Sequence, residues 1–362
     1  MRTPGPAAPT RHDVFPTTLS LLRGPAETRP DCALAAPLRP LALADRPRFE
    51  RAFARTGGSL ADHGFASTWI WHDVLHLEWA AWHGHLLVMA TSEREVTLLL
   101  PPLVDADADP AEVDLGVALA LADTWLRARG QAGLCVENCD GAAVERLLRA
   151  RPDLHAERGA DDYVYDNARL GALEGKSLRS KRHGRDRLLR TYPDAALLPL
   201  RAEDRDQAIA LLDRWIAGIE ARERDAVADT DADADASAAA RAEAAWMRRR
   251  EVLANRAALD AADALGLLGF GLWLDGDARS QLAAFSLWEA LPDGSVAALI
   301  EKADAEVPGA AAAIFSLGAG VLAPRFERCN AGDDGGMAGL RASKETWRPV
   351  ELRGRWRVTA RL

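Results

Sequence analysis

Two stretches of short apolar runs separated by tight turns, one in each half of the 362-residue chain, limit the folds open to it. In the first half the runs lie at 67–71, 75–82, 85–90 and 96–100, with turns at His83-Gly84 and Ser92-Glu93. In the second they lie at 267–274, 282–291 and 295–302, with turns at Asp275-Gly276 and Asp293-Gly294. Their Trp, Ile, Val and Leu content and their two-residue turns predict an antiparallel meander in each half. Each meander has helices before it and a helix, strand, helix and strand after it. Helical spacing is read after Asp45 (with Pro47 in the first turn) and over 110–129, 141–151, 170–192, 203–221, 238–263, 308–322 and 337–345. Single strands are read at 134–136, 326–329 and 350–359. The predicted class is α/β (α+β): two tandem copies of one unit, each a mixed, mostly antiparallel sheet flanked by helices. The expected divisions are a loose arm at 1–40, a first unit at 41–160 and a second at 161–362, with a disordered acidic loop at 225–237.

The net charge of −9 argues at first against a nucleic-acid partner. Its distribution reverses that reading. Residues 225–235 hold five Asp and 105–109 hold three, with no Lys or Arg in either, so the remainder carries only −1. Against that near-neutral body, residues 176–190 carry seven Lys/Arg to one Asp, and residues 341–362 seven to two. Arg248 to Arg250 add a third cluster. Such clusters suit a phosphate backbone or, alternatively, a solvated helix face. Trp246 and Trp347 lie within or beside these runs and suit base stacking or, more simply, core packing.

The longest apolar run, Leu265 to Leu274, is far too short to cross a bilayer, and no apolar signal core opens the chain. A cytoplasmic protein is expected. Four cysteines without paired close spacings argue for reduced core thiols and against a metal site. His72-Asp-Val-Leu-His76 superficially resembles a zinc helix, but it lacks the Glu that acts as base and reads as strand.

Three segments of the second half are more specific. The first holds Asp162-Tyr163-Val164-Tyr165, Leu173-Glu174-Gly175-Lys176 and Lys181-Arg182-His183. The second is Glu301-Lys302-Ala303-Asp304 followed by Pro308-Gly309. The third holds Asn330, Asp334, Gly336, Gly339-Leu340-Arg341, Lys344 and Pro349. Together they resemble the C-terminal catalytic domain of the phosphatidylglycerol lysyltransferase family, over roughly residues 40–360. His183, where Asn is usual, and Ala331-Gly332, where charged residues are usual, depart from that pattern. The resemblance implies two tandem acetyltransferase-like (GNAT-like) domains and an aminoacyltransferase that takes its amino acid from aminoacyl-tRNA, without a further cofactor. No membrane domain of the kind found in full-length lipid-modifying enzymes is present, so a soluble amine or hydroxyl acceptor, small-molecule or headgroup-like, is expected.

Acyl transfer needs a base for the acceptor, donors for the developing oxyanion and cations for the donor's phosphates. At the end of a predicted strand, Glu301 and Ala303 face one way and Lys302 and Asp304 the other. Glu301 or Asp304 is thus placed as a base and Lys302 as a phosphate partner; a strand-end ion pair is the alternative. Asn330 and Asp334 are candidates for orienting the acceptor, with helix capping an alternative for Asp333 or Asp334. Arg341 and Lys344, three apart on a helix, join Lys176, Lys181 and Arg182 as candidate phosphate ligands. Coenzyme A is the less favoured donor. Where its pyrophosphate would need a Gly-rich helix start, this sequence has Ala305-Glu306-Val307-Pro308-Gly309, which offers a carboxylate and lacks one N–H.

Overall fold

The run expected as a single strand at 350–359 is two strands, and they belong to different sheets. The computed structural model describes residues 37–93, 95–228 and 234–360; the arm expected at 1–40 lies almost wholly outside them. Strands β1 (Arg39–Pro40), β2 (Glu78–Trp82), β3 (His85–Thr91), β4 (Val96–Leu98), β5 (Leu103–Val104), β6 (Cys135–Cys139) and β7 (Leu154–Arg158) come from the first half. Strands β8 (Asp162–Asp166), β9 (Ala196–Pro199), β10 (Leu268–Trp273), β11 (Leu282–Ala290), β12 (Val296–Ala303), β13 (Arg328–Asn330), β14 (Glu351–Arg353) and β15 (Trp356–Ala360) follow. One sheet runs β1-β2-β3-β4-β6-β15-β7, with β5 on β3, and the other β14-β8-β13-β12-β11-β10-β9. Among the described residues only β4/β6 and β12/β13 are parallel. Helices α1 (Arg46–Thr56), α2 (Phe65–Trp69), α3 (Leu115–Arg127) and α4 (Gly141–Ala150) flank the first sheet in sequence. They are followed by α5 (Asn167–Ala172), α6 (Arg179–Thr191), α7 (Arg205–Ala228), α8 (Ala234–Asp260), α9 (Ala262–Leu265), α10 (Ala310–Leu322) and α11 (Ala338–Thr346). The fold is the expected α/β class, two mixed, mostly antiparallel sheets flanked by helices.

The second half lends its last strand, β15, to the first sheet. β8 follows β7 directly yet inserts between β13 and β14; β15 follows β14 directly yet inserts between β6 and β7. The chain crosses from sheet to sheet twice, side by side, where Gly159 N–H donates to Arg355 O at 2.8 Å. Residue 160 therefore marks a crossing, and the stretch 161–362 supplies a strand to the first sheet. Residues Ala35–Leu362 accordingly pack as one compact unit.

At this crossing Asp162 is fully buried. Its Oδ1 accepts from Arg355 Nη2 at 2.6 Å; its Oδ2 accepts from Ala61 N at 2.7 Å and Asn330 Nδ2 at 2.9 Å. Arg355 also contacts Asp62 at 2.6 Å and Asp333 at 3.3 Å. A buried charge is tolerated only when so compensated.

A second tie corrects an expectation. The strand expected at 67–71 is a helix followed by turns. Glu289, buried on β11, accepts from Ala66 N at 2.7 Å and Ser67 N at 2.8 Å, so a carboxylate from the other sheet caps α2 and overrides β propensity. The acidic loop expected at 225–237 is also shorter than read. α7 continues to Ala228 and α8 starts at Ala234, Ala-rich sequence extending both helices, and 229–233 lies outside the described residues. α5 and α6 replace the single helix at 170–192, breaking at Leu173, which is left-handed at φ 52°, and at Gly175.

Replacing Arg355 by Ala leaves Asp162 buried without its cation. An unfolding free energy lower by about 3–5 kcal/mol is expected in urea; a loss under about 1 kcal/mol would contradict this role for the crossing.

Candidate active site

The second sheet opens where its parallel strands part. β12 and β13 pair only at Val296↔Cys329 and Ala297↔Asn330. Beyond Asn330 the chain turns toward β8, with Ala331 N donating to Tyr163 O at 3.0 Å, while β12 runs on to Ala303. Glu301 lies in that extension.

A β-bulge decides which way Glu301 faces. Leu287 pairs with Ile300 but Trp288 with Ala298, so Leu299 is the extra residue. Leu299 and Ile300 both pack in the apolar cluster shared with α7 and α8. Val296, Ala298 and Ala303 pack in the cluster around α10. Alternation is thereby shifted by one, and Glu301 joins the α10 face while Lys302 joins the α7–α8 face. The two neighbours then have different fates. Lys302 is buried, with Nζ 2.6 Å from Glu251 Oε1 and 4.1 Å from the Trp215 ring centroid. Among the described residues no donor stands within hydrogen-bonding distance of the Glu301 carboxylate. Burial pushes this carboxyl up to about 7, against the pull of Lys302, Lys181 and Lys344.

The groups around Glu301 come from three elements. Lys181 on α6 stands 4.6 Å from the Trp347 ring centroid, and burial lowers its pKa. Lys344 on α11 donates to Ala331 O at 2.5 Å and Gly332 O at 3.0 Å, and burial lowers its pKa too. Tyr165 on β8 donates to Lys344 O at 2.9 Å; its phenol is pushed up by burial and by Cys329, Tyr163 and Glu301. One residue pair along β8, on the same face, Tyr163 donates to Asp334 Oδ2 at 2.8 Å. Arg341 holds Asp334 at 2.7 Å (Nε) and 3.2 Å (Nη2), keeping its carboxyl down at about 2. Asp334 is thus a fixed anion anchoring Tyr163 and Arg341, and cannot act as a base near neutrality.

The structure therefore brings Glu301, Lys181, Lys344, Asp334 and Arg341 into one neighbourhood and leaves the other candidates elsewhere. Asp304 pairs with Arg214 at 3.4 Å and accepts from Glu306 N at 2.9 Å, ending the strand. Asn330 is buried, its amide donating to Asp162 and to Ser59 O at 3.2 Å and its carbonyl accepting from Gly332 N. Both of its N–H groups are spent, and it is fully buried. Arg182 donates to Leu173 O at 2.6 Å, closing the end of α5. Lys176 is exposed on the 3-10 turn Lys176–Leu178. Asp333 and Asp334 accept from Gly335 N and Gly336 N in turns; Met337 is the N-cap of α11.

Most of the basic tail is paired within the protein, although Arg341 and Arg348 are exposed. Arg341, Arg353, Arg355 and Arg357 are paired with Asp334, Asp293, Asp162 and Glu95, and Lys344 is held by carbonyls. Trp347 packs edge-on to Phe315 at 4.8 Å, and Trp246 stacks under Arg250 at 4.1 Å. Sequence reasoning assigned no role to Tyr163, Tyr165, Asp162, Arg355 or Glu289. The spacing of Tyr163 and Tyr165 on a strand was the available signal for the first two. The ion partners lie too far apart in sequence to leave one. Among the described residues no cluster of His, Cys, Asp and Glu is placed to hold a metal ion, and no helix is long and apolar enough to cross a membrane.

Stability should record the Glu301 titration. The folded carboxyl titrates near 7 and the unfolded one near 4.5, so the folded protein binds more protons in between. Stability then falls as pH rises from about 4.5 to about 7, by at most about 3 kcal/mol. Glu301→Gln removes this slope. Urea unfolding at pH 5, 6, 7 and 8 should show the variant gaining on the wild type until about pH 7 and holding its lead above. Parallel profiles would contradict the placement of Glu301.

Comparisons with known proteins give the family and the fold. The family model for the C-terminal region of phosphatidylglycerol lysyltransferase matches residues 54–359. A conserved protein of unknown function from Bacteroides thetaiotaomicron superposes with a TM-score of 0.72 at 20% identity, over 90% of this chain and 99% of that one. L-PGS from Bacillus licheniformis does so with a TM-score of 0.55 at 12% identity, over 87% of this chain and 91% of that one. A search of curated proteins finds no match.

Proposed function

The chain belongs to the phosphatidylglycerol lysyltransferase C-terminal family, and on that premise we propose that it is an acyltransferase moving an amino acid from aminoacyl-tRNA to an amine or hydroxyl acceptor. The observation that carries this reading is a carboxyl in the sheet opening, without a protein partner and titrating near 7. A group of that pKa suits general acid–base work at neutral pH. In the proposed step Glu301 takes the proton of the attacking acceptor. The new bond forms to the aminoacyl carbonyl carbon, the ester C–O bond breaks, and the terminal ribose hydroxyl of the tRNA leaves with a proton. Lys181 and Lys344 supply positive charge for the developing oxyanion or for a phosphate.

The start of α10 supports a tRNA donor over coenzyme A. A Cβ on Gly309 would lie 2.2 Å from Gly184 O, so the α6 backbone sits against the start of this helix. Glu306 and Pro308 precede it. Pyrophosphate binding at a helix start needs open N–H groups, which this arrangement does not favour. For tRNA, the exposed cations of 176–190 are the natural contact: Lys176, Arg187 and Arg190 are exposed, whereas Arg182 is engaged.

Purified protein with a mixed pool of labelled aminoacyl-tRNAs should bind at least one and discharge it onto an acceptor. Glu301→Gln should retain binding and slow discharge by about 10²–10⁴-fold. Absence of both binding and discharge with every aminoacyl-tRNA would end this reading. Replacing Lys176, Arg187 and Arg190 together by Ala should weaken tRNA binding and lower the slope of log K against log salt by about 2–3. An unchanged slope would move the RNA to another surface.

A further inference from the structure

An aminoacyl ester of a ribose hydroxyl is cleaved only if the departing oxygen is protonated as it leaves. With an amine acceptor the need is acute, because an unprotonated alkoxide is a worse leaving group than the amine that has just added. Glu301 works on the acceptor side and takes a proton there. Two ammonium groups border the same opening, Lys181 of α6 and Lys344 of α11, and the fold holds them differently.

Lys344 is built to keep its charge. Its Nζ donates to Ala331 O at 2.5 Å and to Gly332 O at 3.0 Å, and Asp333, Asp162 and Asp334 all favour the ammonium form. Lys181 has none of these partners. It is half-buried, and among the described residues no carbonyl or carboxylate stands within hydrogen-bonding distance of its Nζ. What it meets is the Trp347 ring, 4.6 Å away at the centroid and itself held edge-on by Phe315. An aromatic face attracts a cation and offers no site for its proton. The one carboxylate that sustains the Lys181 charge is Glu301. α10, which packs on α6, has no ionisable side chain, and α11 brings Lys344 to the same carboxylate. One turn away along the chain stand Ser177, Leu178, Gly184 and Arg185, the last donating to Gly171 O at 2.8 Å.

This arrangement couples the two groups. Once Glu301 has taken the acceptor's proton its charge is gone, and Lys181 is left a half-buried ammonium without an anion. Its proton is then released most readily, just as the ester bond breaks. Resting on the transfer reading, we propose that Lys181 is the acid of the reaction: its Nζ hands a proton to the departing ribose oxygen, while Lys344 stays a fixed cation. The acceptor bonds to the carbonyl carbon and the ester C–O bond breaks. Glu301 ends protonated and Lys181 neutral, and one proton passing from Glu301 to Lys181 resets both.

Single-turnover discharge of bound aminoacyl-tRNA by the whole protein, followed from about pH 6 to about pH 10, separates an acid from a mere positive charge. Lys181→Arg keeps the charge and cannot give up a proton, and Lys181→Gln loses both. Each should show an unchanged circular dichroism spectrum, bind the tRNA within about twofold of the wild type and discharge it at least about 10²-fold more slowly. Above its plateau the wild-type rate should fall at alkaline pH, and neither variant should show that fall. Lys181→Arg discharging at the wild-type rate would overturn the proposal, since charge alone would then suffice. So would a wild-type rate that stays level to about pH 10, an alkaline fall that persists in both variants, or weaker tRNA binding with an unchanged rate once bound. A wild type that discharges no aminoacyl-tRNA at all would instead end the transfer reading, and this acid with it.

Discussion

The ion pair of Asp162 and Arg355 holds together the point on which the rest of this structure depends. The first sheet is completed by β15 from the end of the chain, and both crossings pass this pair. This borrowed strand couples the two cores, because the first sheet lacks its full set of strands without β15. The same carboxylate fixes Ala61 N and the Asn330 amide. It thereby aligns the loop ahead of α2 with the strand at which the second sheet parts. Glu289 adds a second tie from β11 into the start of α2. The loop ahead of α2 and the opening in the second sheet are thus set by one shared framework.

Within that framework one extra residue places the chemistry. Without the bulge at Leu299, strict alternation would send Glu301 to the α7–α8 face, where Glu251 and Trp215 already engage Lys302. With it, Glu301 faces Lys181, Lys344 and Tyr165. A charged pair adjacent in sequence is divided into a buried structural cation and a carboxyl with a raised pKa. Asp334, on a nearby turn, goes the other way because Arg341 pairs with it directly. Environment separates three groups that composition could not distinguish.

What the sequence disclosed was local. The meander turns, the three strands of the second meander and the helices at 141–151 and 308–322 were legible because apolar spacing and turn residues encode them over a few positions. The helix at Phe65–Trp69 was not, because its cap is Glu289, more than two hundred residues away. The break between β14 and β15 at Gly354-Arg355 was not, because nothing local says that the chain changes sheets there. Among candidate site residues, Glu301, Lys181, Lys344, Asp334 and Arg341 do converge. Lys302, Asp304, Asn330 and Arg182 proved to be engaged by partners that only the fold brings near. The basic tail reads as a phosphate surface by composition, and the fold pairs most of its arginines with carboxylates.

The account rests on Glu301 as the group that titrates in the transfer step. Its most direct test is the pH profile of single-turnover discharge of a bound aminoacyl-tRNA by the wild type and by Glu301→Gln. The wild-type rate should rise with pH to a plateau through an inflection near 7, and the variant should be slow and show no such inflection. The same inflection in both proteins would contradict the account.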